Sequence, residues 1–73
     1  MRQTYTVEYI VHKYGEVKRI CFASGSKALA WEKAVFELIP KEEGAQPYAA
    51  WVTSVTYQNG NERRFNTHCG KPY

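Results

Sequence analysis

Two cysteines and two histidines are the side chains best suited to nucleophilic or metal chemistry. Cys21 and Cys69 lie far apart and form no C-x-x-C pair, and His68 is adjacent to Cys69 rather than separated from it by two to four residues. With His12 alone in the N-terminal part, these four residues lack the paired spacing of a zinc site. We expect no metal, and two reduced thiols as is usual in the cytosol.

The acidic residues offer no catalytic pair. The chain contains no aspartate, and Glu42 and Glu43 are neighbours in a predicted loop, where water solvates them. Cys21 and His12 fall on one face of a predicted hairpin, but the register separates them beyond the roughly 3 Å that a nucleophile and its base require. The glycine spacing matches neither a phosphate loop nor a dinucleotide fingerprint. The sequence therefore predicts a protein that is not an enzyme and uses no cofactor.

Binding is the chemistry that remains, and basic side chains are its main candidates. The net charge of +3 is concentrated in the two predicted hairpins, whereas the predicted helix and the loop after it are slightly acidic. Cations on strands can contact phosphates, and interleaved tyrosines can stack on unpaired bases. The alternative is a solvated face whose charges only prevent aggregation. The predicted binding residues, for nucleic acid or another partner, are His12, Lys13, Lys18, Arg19, Arg63 and Arg64.

These residues are positioned by two predicted hairpins, of which the first is the clearer. Residues 4–12 alternate between large apolar and polar side chains, the period of a strand. A two-residue Tyr14-Gly15 loop would pair Tyr9 with Ile20 and would gather the large apolar residues of both strands on one face. The other face, which carries Arg19 and Cys21, is predicted to be solvated.

A helix is predicted between the hairpins, from Lys27 to Ile39, and Pro40 is expected to end it. The serines before it are candidate N-caps. Leu29 and Phe36 are seven residues apart at the edge of the apolar stripe. Either the helix is sunk deeply under both hairpins, or these two residues are a candidate interface, including that of a homodimer. The stripe that should pack on the sheet, with Trp31 in the core, consists of Ala28, Trp31, Ala34, Val35, Leu38 and Ile39.

The second hairpin follows a predicted loop at residues 41–47. Residues 48–57 alternate, Asn59-Gly60 is a strong turn signal, and the return strand is predicted at residues 62–67. A two-residue loop would place Phe65 on the face opposite Trp51 and Val55, and a loop one residue longer would place it on the same face. The sequence leaves both registers of this hairpin open.

The resulting fold is a single α+β domain over residues 1–73, with the order ββαββ. One amphipathic helix packs on one face of an antiparallel sheet. The sequence contains no apolar run of about 18 residues and no signal-peptide core at its start. It therefore predicts a cytoplasmic protein without a membrane partner.

This layout resembles the small accessory proteins of bacteriophages and prophages, among them anti-CRISPR proteins. The resemblance lies in the basic hairpin from Tyr5 to Phe22, the Ala-Ser-Gly-Ser-Lys-Ala-Leu-Ala start of the helix, the Asn-Gly hairpin and the short polar tail. No diagnostic motif accompanies it, so no functional residue is transferred. The resemblance implies a non-enzymatic protein that inhibits or redirects a host protein or nucleoprotein complex. The basic charge departs from the acidic members that mimic DNA. The alternative is a stand-alone protein that binds DNA or RNA through a basic, tyrosine-rich sheet face.

Overall fold

The computed structural model describes residues 2–65, which form a four-stranded antiparallel sheet with one helix on one face. The strand order across the sheet is β2-β1-β3-β4, and the helix connects β2 to β3. The predicted α+β class and ββαββ order are confirmed. The predictions for His68, Cys69 and the end of the return strand lie outside the described residues. The strands are β1 (Gln3–Ile10), β2 (Lys18–Ser24), β3 (Ala49–Thr56) and β4 (Glu62–Arg64).

The helix, α1, is longer than the sequence predicted and contains the proline that was expected to end it. It consists of α-helical Lys27–Lys33, π-helical Ala34–Leu38 and α-helical Ile39–Glu43. The Ile39 N–H bonds to the Ala34 carbonyl five residues back, and Pro40 starts the following α-helical segment. The π-helical turn shifts the backbone hydrogen bonds to an i→i−5 pattern just before Pro40, so the helix continues through a residue that has no N–H to donate. The prediction of a loop from Lys41 was therefore wrong.

Both ends of α1 are capped. The Ser26 hydroxyl accepts a hydrogen bond from the Leu29 N–H at 3.2 Å, as the sequence suggested. At the other end Gly44 adopts φ 79°, a left-handed conformation natural for glycine, and its N–H donates to the Pro40 carbonyl at 2.8 Å. These caps define a helix of 17 residues rather than the 13 predicted (27–39).

The core lies between α1 and the sheet. The predicted stripe is right for Ala34, Val35 and Ile39, but Ala28 is exposed and Ala30 takes the buried position. Both are alanines, so the side-chain types alone do not identify which one faces the sheet. The buried hydrophobic residues are Tyr5, Val7 and Tyr9 of β1, Ala30, Ala34, Val35 and Ile39 of α1, and Ala49, Ala50, Val52 and Val55 of β3.

The first hairpin has the predicted faces but a different register. Tyr9 pairs with Lys18 and Val7 with Ile20, two residues away from the predicted pairing. The connection is residues 11–17, with a turn closed by the Gly15 N–H on the His12 carbonyl at 2.8 Å. A shift of two residues keeps every side chain on its face, because side chains alternate with period two.

The second hairpin has the longer of the two loops considered. Tyr57 donates to the Asn61 carbonyl at 2.8 Å across a three-residue loop in which Gly60 adopts φ 92°. Phe65 therefore joins Val55 on the helix side, where its ring lies 4.4 Å from Lys27 Nζ.

A β-bulge in β3 reverses the direction of Trp51. Thr6 pairs with Ser54 and Val7 pairs with Val52, so Thr53 has no counterpart on β1. The bulge allows Val52 and Val55 to face the helix together, and it places Trp51 opposite Glu8 on the other side of the sheet. The expectation that Trp51 and Val55 share a face was wrong, because alternation does not continue through a bulge.

Candidate functional site: the open face of the sheet

One face of the sheet has no helix on it within residues 2–65, and we call it the open face. It contains the even-numbered residues of β1 and their neighbours on the other strands. Its centre is a hollow of about 330 Å³. The hollow is lined mainly by polar residues, namely Thr6, Glu8, Arg19, Cys21, Thr53, Ser54, Glu62, Arg64 and Phe65.

Glu8 organises one side of the hollow. Strand pairing places Arg19 on its β2 side and Trp51 on its β3 side. One carboxylate oxygen accepts hydrogen bonds from Arg19 Nη2 at 2.7 Å and Nε at 3.2 Å, and the other accepts one from Trp51 Nε1 at 3.2 Å. The hydrogen bond and charge of Glu8 raise the pKa of Arg19 above its ordinary value. The carboxylate thus holds a guanidinium and an indole in fixed positions across three strands.

The other side of the hollow is formed by β4 and the bulge. Arg64 Nε lies 3.4 Å from Glu62 Oε1, and the Arg64 side chain is 81% exposed. Across the sheet, Cys21 Sγ lies 3.4 Å from the Thr6 hydroxyl. His12 is in the 11–17 connection rather than on this face, so the thiol has no imidazole partner here. The open face therefore offers a partner hydrogen-bonding groups and both positive and negative side chains.

The predicted basic residues are distributed over three surfaces. Arg19 and Arg64 lie on the open face, whereas Arg63 is on the helix side with its guanidinium carbon 5.8 Å from the Phe65 ring. His12 and Lys13 are exposed in the 11–17 connection. The six residues therefore do not form one continuous basic patch.

Lys18 belongs to a cluster that joins the end of α1 to the sheet. Its Nζ donates to both carboxylate oxygens of Glu43, at 3.0 and 3.2 Å, and the Tyr9 hydroxyl donates to Glu43 at 3.3 Å. The hydrogen bond from Lys18 lowers the pKa of Glu43, and the same bond raises the pKa of Lys18. Burial and the nearby Glu43 charge raise the pKa of Tyr9. The expectation that Glu43 is solvated in a loop was wrong, because α1 continues past Pro40 and carries Glu43 to the sheet.

Leu29 and Phe36 are each about half exposed, 56% and 54%, and they have different neighbours. Leu29 borders a hollow with Ala23 and Gly25 at the end of β2. Phe36 packs edge-on against Trp31 at 6.0 Å between ring centroids, and Trp31 bonds to Ala50 of β3. The wider π-helical turn separates two positions that a regular α-helix would align. They do not form one apolar strip.

Sequence reasoning did not identify Glu8 and Trp51 as site residues. By its pattern Glu8 is one polar residue of a solvated face, and strand alternation predicts Trp51 on the same face as Val55. Glu8 and Trp51 are opposite each other because of the bulge at Thr53, and the bulge is visible only in the strand pairing. Cys21 of β2 pairs with Thr6 of β1, and both line the same hollow as Glu8.

Within residues 2–65 no three histidine, cysteine or glutamate side chains are grouped so that they could hold a metal ion. The same residues form no helix long and apolar enough to cross a membrane. No protein-family model, curated protein or solved structure matches the chain.

Proposed function

We propose that this chain is a non-enzymatic binding protein whose open face docks on a protein partner, alone or within a nucleoprotein complex, and inhibits or redirects it. The observation that supports this most is the Glu8 carboxylate holding Arg19 and Trp51 beside the central hollow. Arginine and tryptophan are the residue types most enriched among interface hot spots. Side chains that are already fixed lose less conformational entropy on binding.

The charge pattern of the open face favours a protein over a polyanion. Arg19 is paired with Glu8 and Arg64 with Glu62, so each cation lies beside a carboxylate. A nucleic acid would have to approach both carboxylates to reach the two arginines. A protein surface with both signs of charge can complement all four groups. The resemblance to phage accessory proteins is the reason to propose a host complex as the partner and occlusion as the mode of action.

Nucleic-acid binding is a second candidate, at a different surface. Tyr14 in the 11–17 connection is 91% exposed, and Lys13 Nζ lies 5.5 Å from the centre of its ring. An exposed tyrosine beside a lysine can stack on an unpaired base while the cation contacts phosphate. By contrast, Tyr5 and Tyr9 are buried against α1 and are unavailable for stacking. This candidate therefore depends on the connection, not on a tyrosine-rich sheet face.

Affinity capture from bacterial lysate, with and without nuclease, distinguishes protein docking on the open face from nucleic-acid binding at the 11–17 connection. Arg64→Glu reverses a charge on the open face, and Lys41→Glu makes the same change on the exposed surface of α1. We expect a partner protein that survives nuclease and is lost with Arg64→Glu but retained with Lys41→Glu. Equal retention by both variants would contradict docking on the open face. A partner that disappears with nuclease and with Tyr14→Ala would favour nucleic-acid binding.

A further inference from the structure

The two edges of the described sheet are protected very differently. β4 has three residues, all charged and exposed, and a short charged edge discourages pairing with another strand. β2 has seven residues and no proline or glycine, and it pairs with β1 without a bulge. Its charges are confined to Lys18 and Arg19, and the rest of its edge is Ile-Cys-Phe-Ala-Ser. Such an edge is open to strand addition.

The hydrogen bonding of β1 identifies which groups of β2 point outwards. The Tyr48 N–H donates to the Ile10 carbonyl at 2.8 Å, so the even-numbered residues of β1 direct their backbone groups towards β3. The odd-numbered residues of β1 therefore bond to β2, where their partners are the even-numbered positions. The N–H and C=O groups left for the free edge belong to Arg19, Cys21 and Ala23.

We propose that β2 pairs with β2 of a second copy of this chain, antiparallel and around a two-fold axis at Cys21. In this register Cys21 lies opposite Cys21 of the second copy, and Arg19 lies opposite Ala23. The outward N–H and C=O groups of β2 then all have partners, because the odd-numbered residues of one copy lie opposite the odd-numbered residues of the other. The interface goes beyond the proposed function and uses a different surface from the helix edge considered from the sequence.

Side chains explain why a second copy fits better than an unrelated strand. The pairing places Ile20 opposite Phe22 of the second copy on the helix side, and both are half-buried at the edge of the single chain. Lys18 and Arg19 meet Ser24 and Ala23, so no like charges oppose each other, as they would in a parallel arrangement. The strand is therefore complementary to itself in one register. Both helices lie on the same side of the joined sheet, and the two open faces become one continuous surface.

Substituting Ala23 with a positive or a negative residue tests the register. Dimerisation of the full chain is measured by sedimentation over a range of concentrations under reducing conditions. Ala23 is exposed and faces Arg19 of the second copy. Ala23→Lys should weaken dimerisation about tenfold or more, because two like-charged pairs form. Ala23→Glu should leave it unchanged or strengthen it. A wild-type chain that stays monomeric at its highest soluble concentration, or equal effects of the two variants, would overturn the proposal.

Cross-linking at the two-fold axis is an independent test. Directly opposed residues in a hydrogen-bonded antiparallel pair have Cα atoms about 5.5 Å apart, within the range of a disulfide. In a Cys69→Ser background only Cys21 remains, so diamide should oxidise two Cys21 thiols to one intermolecular disulfide. The covalent dimer should form readily and should diminish when Ala23→Lys is added. Failure to form it, or formation unaffected by Ala23→Lys, would contradict the register.

Discussion

The two tryptophans lie on opposite faces of the same sheet and bond to different kinds of acceptor. Trp31 on the helix side donates to the Ala50 backbone carbonyl at 3.0 Å and packs against the core. Trp51 on the open face donates to the Glu8 carboxylate at 3.2 Å, which also holds Arg19. One indole therefore fixes α1 to β3, whereas the other belongs to a set of side chains directed at solvent. Trp31 thus belongs to the residues that maintain the fold, and Trp51 to the surface that we propose binds a partner.

Hydrogen bonding and packing differ between the two faces in the same way. On the helix side the small residues Ala30 and Ala34 are fully buried, which allows α1 to approach the sheet closely. No buried side-chain nitrogen or oxygen within residues 2–65 lacks a hydrogen-bond partner. On the open face, charged side chains pair with one another at the surface, where ion pairs add little to stability. Substitutions on the two faces should therefore have different consequences.

The largest expected difference is between the tryptophans themselves. Trp31→Ala should lower the free energy of unfolding by about 3 kcal/mol, the lower end of the usual range because the Trp31 side chain is only partly buried. Trp51→Ala should lower it by less than half as much, since Trp51 is not packed against the core cluster. Urea denaturation of both variants measures this. Equal losses would mean that Trp51 is also a structural residue.

A smaller, pH-dependent effect is expected at the cluster that joins α1 to the sheet. The pKa of Glu43 is lowered in the folded chain, chiefly by the hydrogen bond from Lys18, so ionised Glu43 favours folding. This stability is present above the ordinary glutamate pKa of 4.5 and is lost as the pH falls through the lowered value. Glu43→Gln should therefore be less stable than the wild type at pH 7, with the difference shrinking below pH 4.5. Thermal unfolding across this pH range measures it.

Glu42→Gln is the matched control for that series. Glu42 is the exposed neighbour of Glu43 and has no hydrogen bond to Lys18 or Tyr9 in the structure. Its substitution should leave the pH dependence of unfolding close to that of the wild type. If the two variants behaved alike, the bond between Glu43 and Lys18 would contribute nothing specific to stability.

Side-chain alternation predicted the faces of the first hairpin, because a two-residue error in register leaves them unchanged. Tyr5, Val7 and Tyr9 are buried as expected even though Tyr9 pairs with Lys18 rather than Ile20. The class and the element order followed from the same periodicities. The local pattern is sufficient to predict which face of the sheet a residue occupies, because that depends only on whether its position in the strand is odd or even.

Two irregularities of the backbone account for the incorrect predictions at the end of α1 and at Trp51. The π-helical turn before Pro40 lets α1 continue and brings Glu43 to Lys18. The bulge at Thr53 turns Trp51 to the open face. Neither is visible in the periodicity of the sequence, because each inserts one residue into an otherwise regular pattern. The candidate site rests on the bulge, which is why its central residues were missed.

Photo-cross-linking in bacterial cells tests most directly whether the open face is the binding surface. A benzophenone amino acid replaces exposed Thr4 on the open face in one variant and exposed Phe36 on α1 in the other. We expect a nuclease-resistant adduct between position 4 and a protein other than a second copy of this chain, and none of comparable yield from position 36. An adduct from position 36 alone would contradict it and would place the partner on the helix.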